Sequence, residues 1–266
     1  MRVTVQPSAL RGRLQVPGSK SHTIRAVLLS LLAEGKSEIY NPLASGDGLS
    51  ALAAARAFGA KIEEKEGCWV IEGRGGALLI PEDCINTGNS GTTTCFFSSV
   101  AALVDGWTVI TGDEQIRRRP IKALVEALNT LGASAFLTRE GKSSPPVVIK
   151  GKMRGGAVQI DGTNSQYVSS LLLSCPLSAG DTEIVVEHPL ETPYVQITLD
   201  WMNRYGITVE KNSDYSRFLI HGGQTYHAGS FSIPSDFSAV AFPLVAAILS
   251  DSDLLLTGLD FQDSQG

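Results

Sequence analysis

The chain repeats itself. Small polar loops at Gly18-Ser19-Lys20, Gly88-Asn89-Ser90, Gly162-Thr163-Asn164 and, more weakly, Ser235-Asp236 are spaced 70, 74 and 73 residues apart. Self-similarity at a fixed period marks one supersecondary unit stacked on copies of itself, because a single copy cannot bury its own apolar face. After each loop the apolar residues fall at helical spacing: Ile24, Val27, Leu28, Leu31 and Leu32 in the first unit, Val168, Leu171, Leu172 and Cys175 in the third. The i, i+3, i+4, i+7 pattern predicts an amphipathic helix.

A short strand is predicted after each helix, at Ser37 to Tyr40, Trp107 to Ile110 and Thr182 to Val186. A second helix then ends each time on a glycine, in Phe58-Gly59-Ala60, Leu131-Gly132-Ala133 and Tyr205-Gly206-Ile207. Glycine is the residue best suited to the left-handed position just past a helix end. A hairpin closes each unit. The unit is therefore β-α-β-α-β-β, an α/β (α+β) class, present in three complete copies with the start of a fourth. That fourth copy has a helix through Ala239, Phe242, Val245, Ala246 and Leu249 and a strand from Asp253 to Thr257, after which the sequence stops at Gly266. We expect residues 18–234 to form one domain. Residues 1–17 and 235–266 are expected to be pieces of a second, incomplete one. A frayed natural tail is the plain alternative for the last segment.

Composition serves mainly to exclude. A net charge of −5 argues against a nucleic-acid partner, which requires a basic face. No apolar stretch approaches the ~20 residues of a membrane span, and the N-terminus has no apolar signal region. The four cysteines (Cys68, Cys84, Cys95, Cys175) form no CxxC pair and read as reduced, mostly buried thiols of a cytoplasmic protein. The histidines are equally dispersed. His188, His221 and His227 read as structural or surface residues, and no metal site is legible.

The chemistry is expected at the helix starts. A helix N-terminus presents free N–H groups and the positive end of the macrodipole, a ready anion site. In Gly18-Ser19-Lys20-Ser21 the serines can cap or donate, Lys20 adds an ammonium, and Arg25 lies one turn on to fork a carboxylate. Read alone, the segment also fits an ordinary capped helix with solvated Lys and Arg. Gly88-Asn89-Ser90-Gly91-Thr92 holds the equivalent place in the second unit. Its glycines let backbone amides approach a ligand, though by itself it is also a plain turn. Arg117-Arg118-Arg119-Pro120 precedes a helix through Ile121 and Leu124, with Pro120 expected in the first turn. Cations there oppose the macrodipole, so either a bound anion compensates them or they form a solvated charge run. Asn164-Ser165-Gln166 opens the third unit, and Tyr194 follows Pro193 at the next helix start, as a ligand shelf or a core aromatic. Cys95 reads as buried packing. The repeat would thus build a cleft for a small polyanion.

The segments PGSKSHTIRA, GNSGTT, GDEQIRRRPI, DGTNSQYVSSLLL and ETPYVQITLDWM, in that order and spacing, resemble the EPSP synthase family over essentially the whole chain. PGSKSxxxR with the downstream RRRPI is the specific part. A related family acting on UDP-N-acetylglucosamine shares the repeat but has a Lys-Asn motif in place of GSKSxxxR. The resemblance implies an inside-out domain, helices inward and sheets outward. It also implies transfer of the enolpyruvyl group of phosphoenolpyruvate to the 5-hydroxyl of shikimate 3-phosphate, with no metal or organic cofactor. By match, Lys20 touches both substrates. Ser21, Arg25, Asn164, Ser165 and Tyr194 hold shikimate 3-phosphate. Asn89, Gly91 and Arg119 line the phosphoenolpyruvate side, Gln166 bridges both, and Asp47 is an acidic position near the cleft.

Two departures stand out. The family pattern GNxGTxxR has Arg where this chain has Cys95, followed here by Phe96, which is expected to reshape a helix that in the family also meets glyphosate. The family's C-terminal part, with its proton-transferring Asp, Glu and Lys, has no counterpart in the sequence. The chain alone is therefore expected to be inactive without a complementary C-terminal chain. The alternative from another class is a non-catalytic binding or scaffold domain for an anionic metabolite.

Overall fold

The computed structural model describes Thr4 and residues 8–265. Of the expected N-terminal piece, residues 1–3 and 5–7 lie outside the described residues, as does Gly266. Helices α1 (Lys20–Leu32), α2 (Gly46–Ala57), α3 (Gly91–Ala101), α4 (Lys122–Thr130), α5 (Ser165–Ser174), α6 (Thr192–Arg204) and α7 (Phe237–Leu249) follow in chain order.

Among the described residues the strands form three four-stranded sheets of one design. In the second sheet Ile85–Asn86 runs parallel to Trp107–Thr111, which pairs antiparallel with Val147–Lys150, which pairs antiparallel with Ser134–Leu137. The third repeats this with Gly156–Asp161, Thr182–Glu187, Arg217–Ile220 and Glu210–Lys211. The first does so with Lys36–Tyr40, Cys68–Glu72 and Lys61–Lys65, but its opening strand is Ser230–Ser232, from the far end of the chain. The strand Arg11–Gln15, which precedes α1, pairs instead with Asp253–Thr257. The two chain passes therefore exchange partners where they cross. There Gly18 bridges Ser235, Ser19 N–H donates to the Pro234 carbonyl at 2.8 Å, and Asp236 N–H to that of Pro17 at 2.9 Å. A Cβ on Gly18 would lie 2.1 Å from the Asn41 carbonyl oxygen, so only glycine passes here.

The helices pack inside the sheets. α1 packs on α2, α3 and α6, while α3 and α6 also pack on α5. The amphipathic expectation needs correction for α1, α3 and α5: they are buried almost all round. A helix at the centre of a bundle has no solvent face to make polar, and apart from Lys20, His22, Arg25 and Gln166 near the helix starts its residues are apolar, aromatic or small hydroxyl. Ser30, Ser98, Ser99, Ser169 and Ser170 are fully buried there. Ser30 bonds the Tyr205 hydroxyl at 2.7 Å, and Ser98 donates to its own helix at the Thr94 carbonyl. α2, α4 and α6 keep one exposed face.

The glycine stops recur at all three helix ends, at φ +100°, +96° and +88° for Gly59, Gly132 and Gly206. The following N–H groups of Ala60, Ala133 and Ile207 reach back to Ala55, Leu128 and Met202, satisfying carbonyls that the helix leaves open. α7 differs from the rest. Among its described residues Val240 alone is buried, and Phe242 and Leu249 are 81% and 80% exposed. Its apolar face is uncovered.

Candidate functional site

The N-termini of α1, α3, α5 and α6 border one cleft of about 440 Å³. Lys20, Ser21, Arg25, Ser165, Gln166 and Tyr194 line it. A second space of about 260 Å³ opens beside it, bordered by Lys20, Asp47, Asn89, Gly91, Arg119 and Gln166. A small cavity of about 90 Å³ below holds Gly91, Cys95, Arg119, Asn164 and Gln166. Gln166 borders all three. Asn164 lies apart from Ser165, on the Arg119 side, with its Oδ1 accepting the Gln166 N–H at 3.0 Å as the cap of α5.

Arg25 is the centre of the electrostatics. Only 2% exposed, it donates Nε to Thr198 Oγ1 at 2.8 Å, one Nη to the Ser21 carbonyl at 2.8 Å and the other to the Tyr194 carbonyl at 2.9 Å. Its carbon Cζ stands 5.1 Å from the centroid of the Phe96 ring. A guanidinium has five N–H donors, so these three bonds leave two for the cleft. Among the described residues no carboxylate lies within 4.0 Å of it. Burial pulls its pKa down from 12.5 to about 9, so it remains a cation at neutral pH. A buried charge without a counter-charge is costly, and an anion in the cleft would relieve it.

The expectation for Phe96 is corrected by the same contact. α3 runs unbroken through it, with the ring buried in the core beneath Arg25. Cys95 faces the small cavity, and burial pushes its thiol up to about 12 despite nearby Arg119, so it is no anion binder.

The arginine run divides. Arg117 reaches the Gly112 carbonyl and Arg118 pairs with Glu114 on the surface, whereas Arg119 turns into the cleft. Gly91 makes room for it, since a Cβ there would meet Arg119 Nη1 at 2.9 Å. Tyr167 fixes the loop by donating its hydroxyl to the Pro120 carbonyl at 2.7 Å. Pro120 is not in the helix: α4 begins at Lys122 with Ile121 as its N-cap. The Ile121 N–H is taken by the Ser143 carbonyl, and its backbone at φ −141°, ψ 3° is not yet helical.

Ser19 also departs from expectation. Its hydroxyl is buried without a hydrogen-bond partner among the described residues, because the strand crossing encloses it. The cap of α1 comes from Asp236, whose Oδ2 accepts the Lys20 N–H at 3.2 Å. Its Oδ1 accepts Ser238 N–H at 2.8 Å, capping α7, and Gln265 Nε2 at 2.8 Å. Residues near Gln265 dock beside the cleft: His22 receives the indole N–H of Trp201 on Nδ1 at 2.9 Å and meets Asp263 with Nε2 at 3.1 Å. Asp236, Glu191, His22 and Asp263 were missed at the sequence level. Asp236 alone had a signal, the weak fourth loop before a helix. Among the described residues no cluster of three or more His, Cys, Asp or Glu could hold a metal, and no helix is long and apolar enough to cross a membrane.

The family model described as EPSP synthase (3-phosphoshikimate 1-carboxyvinyltransferase) matches residues 4–266. The 3-phosphoshikimate 1-carboxyvinyltransferase of Acetivibrio thermocellus is 50% identical over 266 residues, covering 100% of this chain and 62% of that protein. That of Ruminiclostridium cellulolyticum is 47% identical, over 100% of this chain and 63% of that protein. A solved EPSP synthase from Acinetobacter baumannii superposes with a TM-score of 0.83 at 28% identity, covering 96% of this chain and 57% of that one. The chain spans about 62% of the length of the first curated relatives it matches.

Proposed function

The chain belongs to the EPSP synthase family, and from that premise we propose that it grips the two anionic substrates of an enolpyruvyl transfer, phosphoenolpyruvate and shikimate 3-phosphate. Arg25 carries the reading. A buried guanidinium, unmatched by a carboxylate and with two N–H groups free, calls for an anion in the cleft. Ser21, Arg25, Ser165 and Tyr194 take the shikimate 3-phosphate side, with Ser165 on its phosphate. Asn89, Gly91, Asn164 and Arg119 take the phosphoenolpyruvate side, a revision for Asn164 motivated by its position beside Arg119. Lys20 and Gln166 border both spaces.

What these residues do is hold and orient. Bringing the acceptor hydroxyl against the enolpyruvate carbon converts a bimolecular step into a local one. Lys20 and Arg119 supply cations where charge moves during the transfer. Groups that move protons are assigned to a complementary C-terminal segment, which would also cover the apolar face of α7 and exclude water. We assign residues 18–234 to the gripping domain, 1–17 and 235–266 to the second, and the protein to the cytoplasm.

Calorimetry tests the reading. The 266-residue chain should bind shikimate 3-phosphate weakly, and Lys20→Ala should weaken that binding further. A phosphate-release assay should register no turnover by the chain alone and recovery when the C-terminal segment of a relative is added. Absence of heat with shikimate 3-phosphate would remove the site assignment.

A further inference from the structure

Glu191 is the N-cap residue of α6, yet its side chain caps nothing on that helix. Its Oε2 instead accepts Ser165 Oγ at 2.8 Å and Ser165 N–H at 3.3 Å, across to the start of α5. Its backbone sits in the left-handed region at φ 51°, which a residue with a Cβ adopts only at a cost. The carboxylate borders the same cleft as Lys20 and Arg25. It thus holds the donors that the proposed function assigns to the acceptor's phosphate. The side chain is exposed, so it can leave for solvent without burying its charge.

We infer that Glu191 is a resident counter-anion of the acceptor subsite, and that it sets how strongly the cleft prefers a phosphorylated acceptor over an unphosphorylated one. This inference rests on the reading that Ser165 meets the acceptor phosphate. A phosphate monoester carries about −1.5 to −2 charges at neutral pH and accepts hydrogen bonds only. It cannot share the Ser165 N–H and hydroxyl with a carboxylate, so it must displace Glu191. A neutral hydroxyl has no such conflict, because it can donate to Glu191 where it stands. The carboxylate therefore works against the phosphorylated ligand and leaves the ligand with a free hydroxyl at that position untouched.

Isothermal titration of the chain and of Glu191→Gln and Glu191→Ala with shikimate 3-phosphate and with shikimate decides this. Both variants should bind shikimate 3-phosphate about tenfold more tightly, the order of worth of an anion at a helix N-terminus. Neither should gain affinity for shikimate. An unchanged ratio of the two affinities, with or without a fall in thermal midpoint, would mean that Glu191 is only a structural cap and would overturn the inference. Failure of all three proteins to bind shikimate 3-phosphate would instead sink the underlying site assignment, and the inference with it.

Discussion

Asp236 accepts the backbone N–H of Lys20 at 3.2 Å across 216 residues of chain, and with its other oxygen caps α7. One carboxylate thus sits at the positive ends of two helices, at the point where the two chain passes cross. It orients the segment that carries Lys20 without being part of it.

Replacing Asp236 therefore tests that junction. Asp236→Ala should lower stability by about 1–2 kcal/mol, the usual cost of losing an N-cap, and more if both helix ends loosen together. Asp236→Asn keeps a side-chain oxygen and should recover most of the loss. Urea melts of the two variants make the comparison, and equal losses would indicate that charge rather than capping matters here.

Thr198 holds Arg25 by accepting its Nε–H while donating to Ser169 Oγ at 2.9 Å. Thr198→Val keeps the shape but leaves a buried Arg donor unpaired, which should cost about 1–3 kcal/mol. Thr198→Ser should be far milder. A denaturation midpoint for valine equal to the parent's would mean that Arg25 finds another acceptor.

The arginine run offers an internal control. Arg119→Ala should abolish phosphate or phosphoenolpyruvate binding with the fold intact. Arg118→Ala, on a surface pair with Glu114, should change neither binding nor stability measurably. Unfolding of the Arg119 variant, read by circular dichroism, would identify it as a structural residue instead.

The thiols should separate by burial. Cys95 and Cys175 are buried with pKa pushed up to about 12, so neither forms thiolate at pH 8, and thiolate is the nucleophile. Because their folded pKa is raised, reactivity should appear only as pH climbs toward 12 or as the chain unfolds. Cys84 is exposed. Iodoacetamide followed by peptide mass mapping should label Cys84 first. Modification of Cys95 in the native protein at pH 8 would contradict its enclosed place.

Much of the architecture was local enough to read. The repeat period, the helix starts and the glycine stops at Gly59, Gly132 and Gly206 depend on a handful of adjacent residues, and propensity and backbone sterics act over that range. Burial of α1, α3 and α5 on all sides was less legible. Their serines look like a polar face in sequence, whereas in the core they bond neighbouring hydroxyls or their own backbone, as Ser30 and Ser98 do. Among the candidate residues, Lys20, Ser21, Arg25, Ser165, Gln166 and Tyr194 line one cleft, and they could be singled out because helix N-termini announce themselves by residue type.

The unit, its copies and the helix starts at which each could meet an anion are therefore written in local residue order. Tertiary structure alone decided which strand closes which sheet, since Ser230–Ser232 joins Lys36–Tyr40 only after nearly 200 residues have folded between them. It decided that one arginine of three turns inward, that Asp236 rather than Ser19 caps α1, and that Glu191 caps the wrong helix. Each of these contacts joins segments far apart in the chain or depends on which way a loop faces once packed. Local pattern carries no information about either, because the energy that selects them exists only when the partner surface is in place.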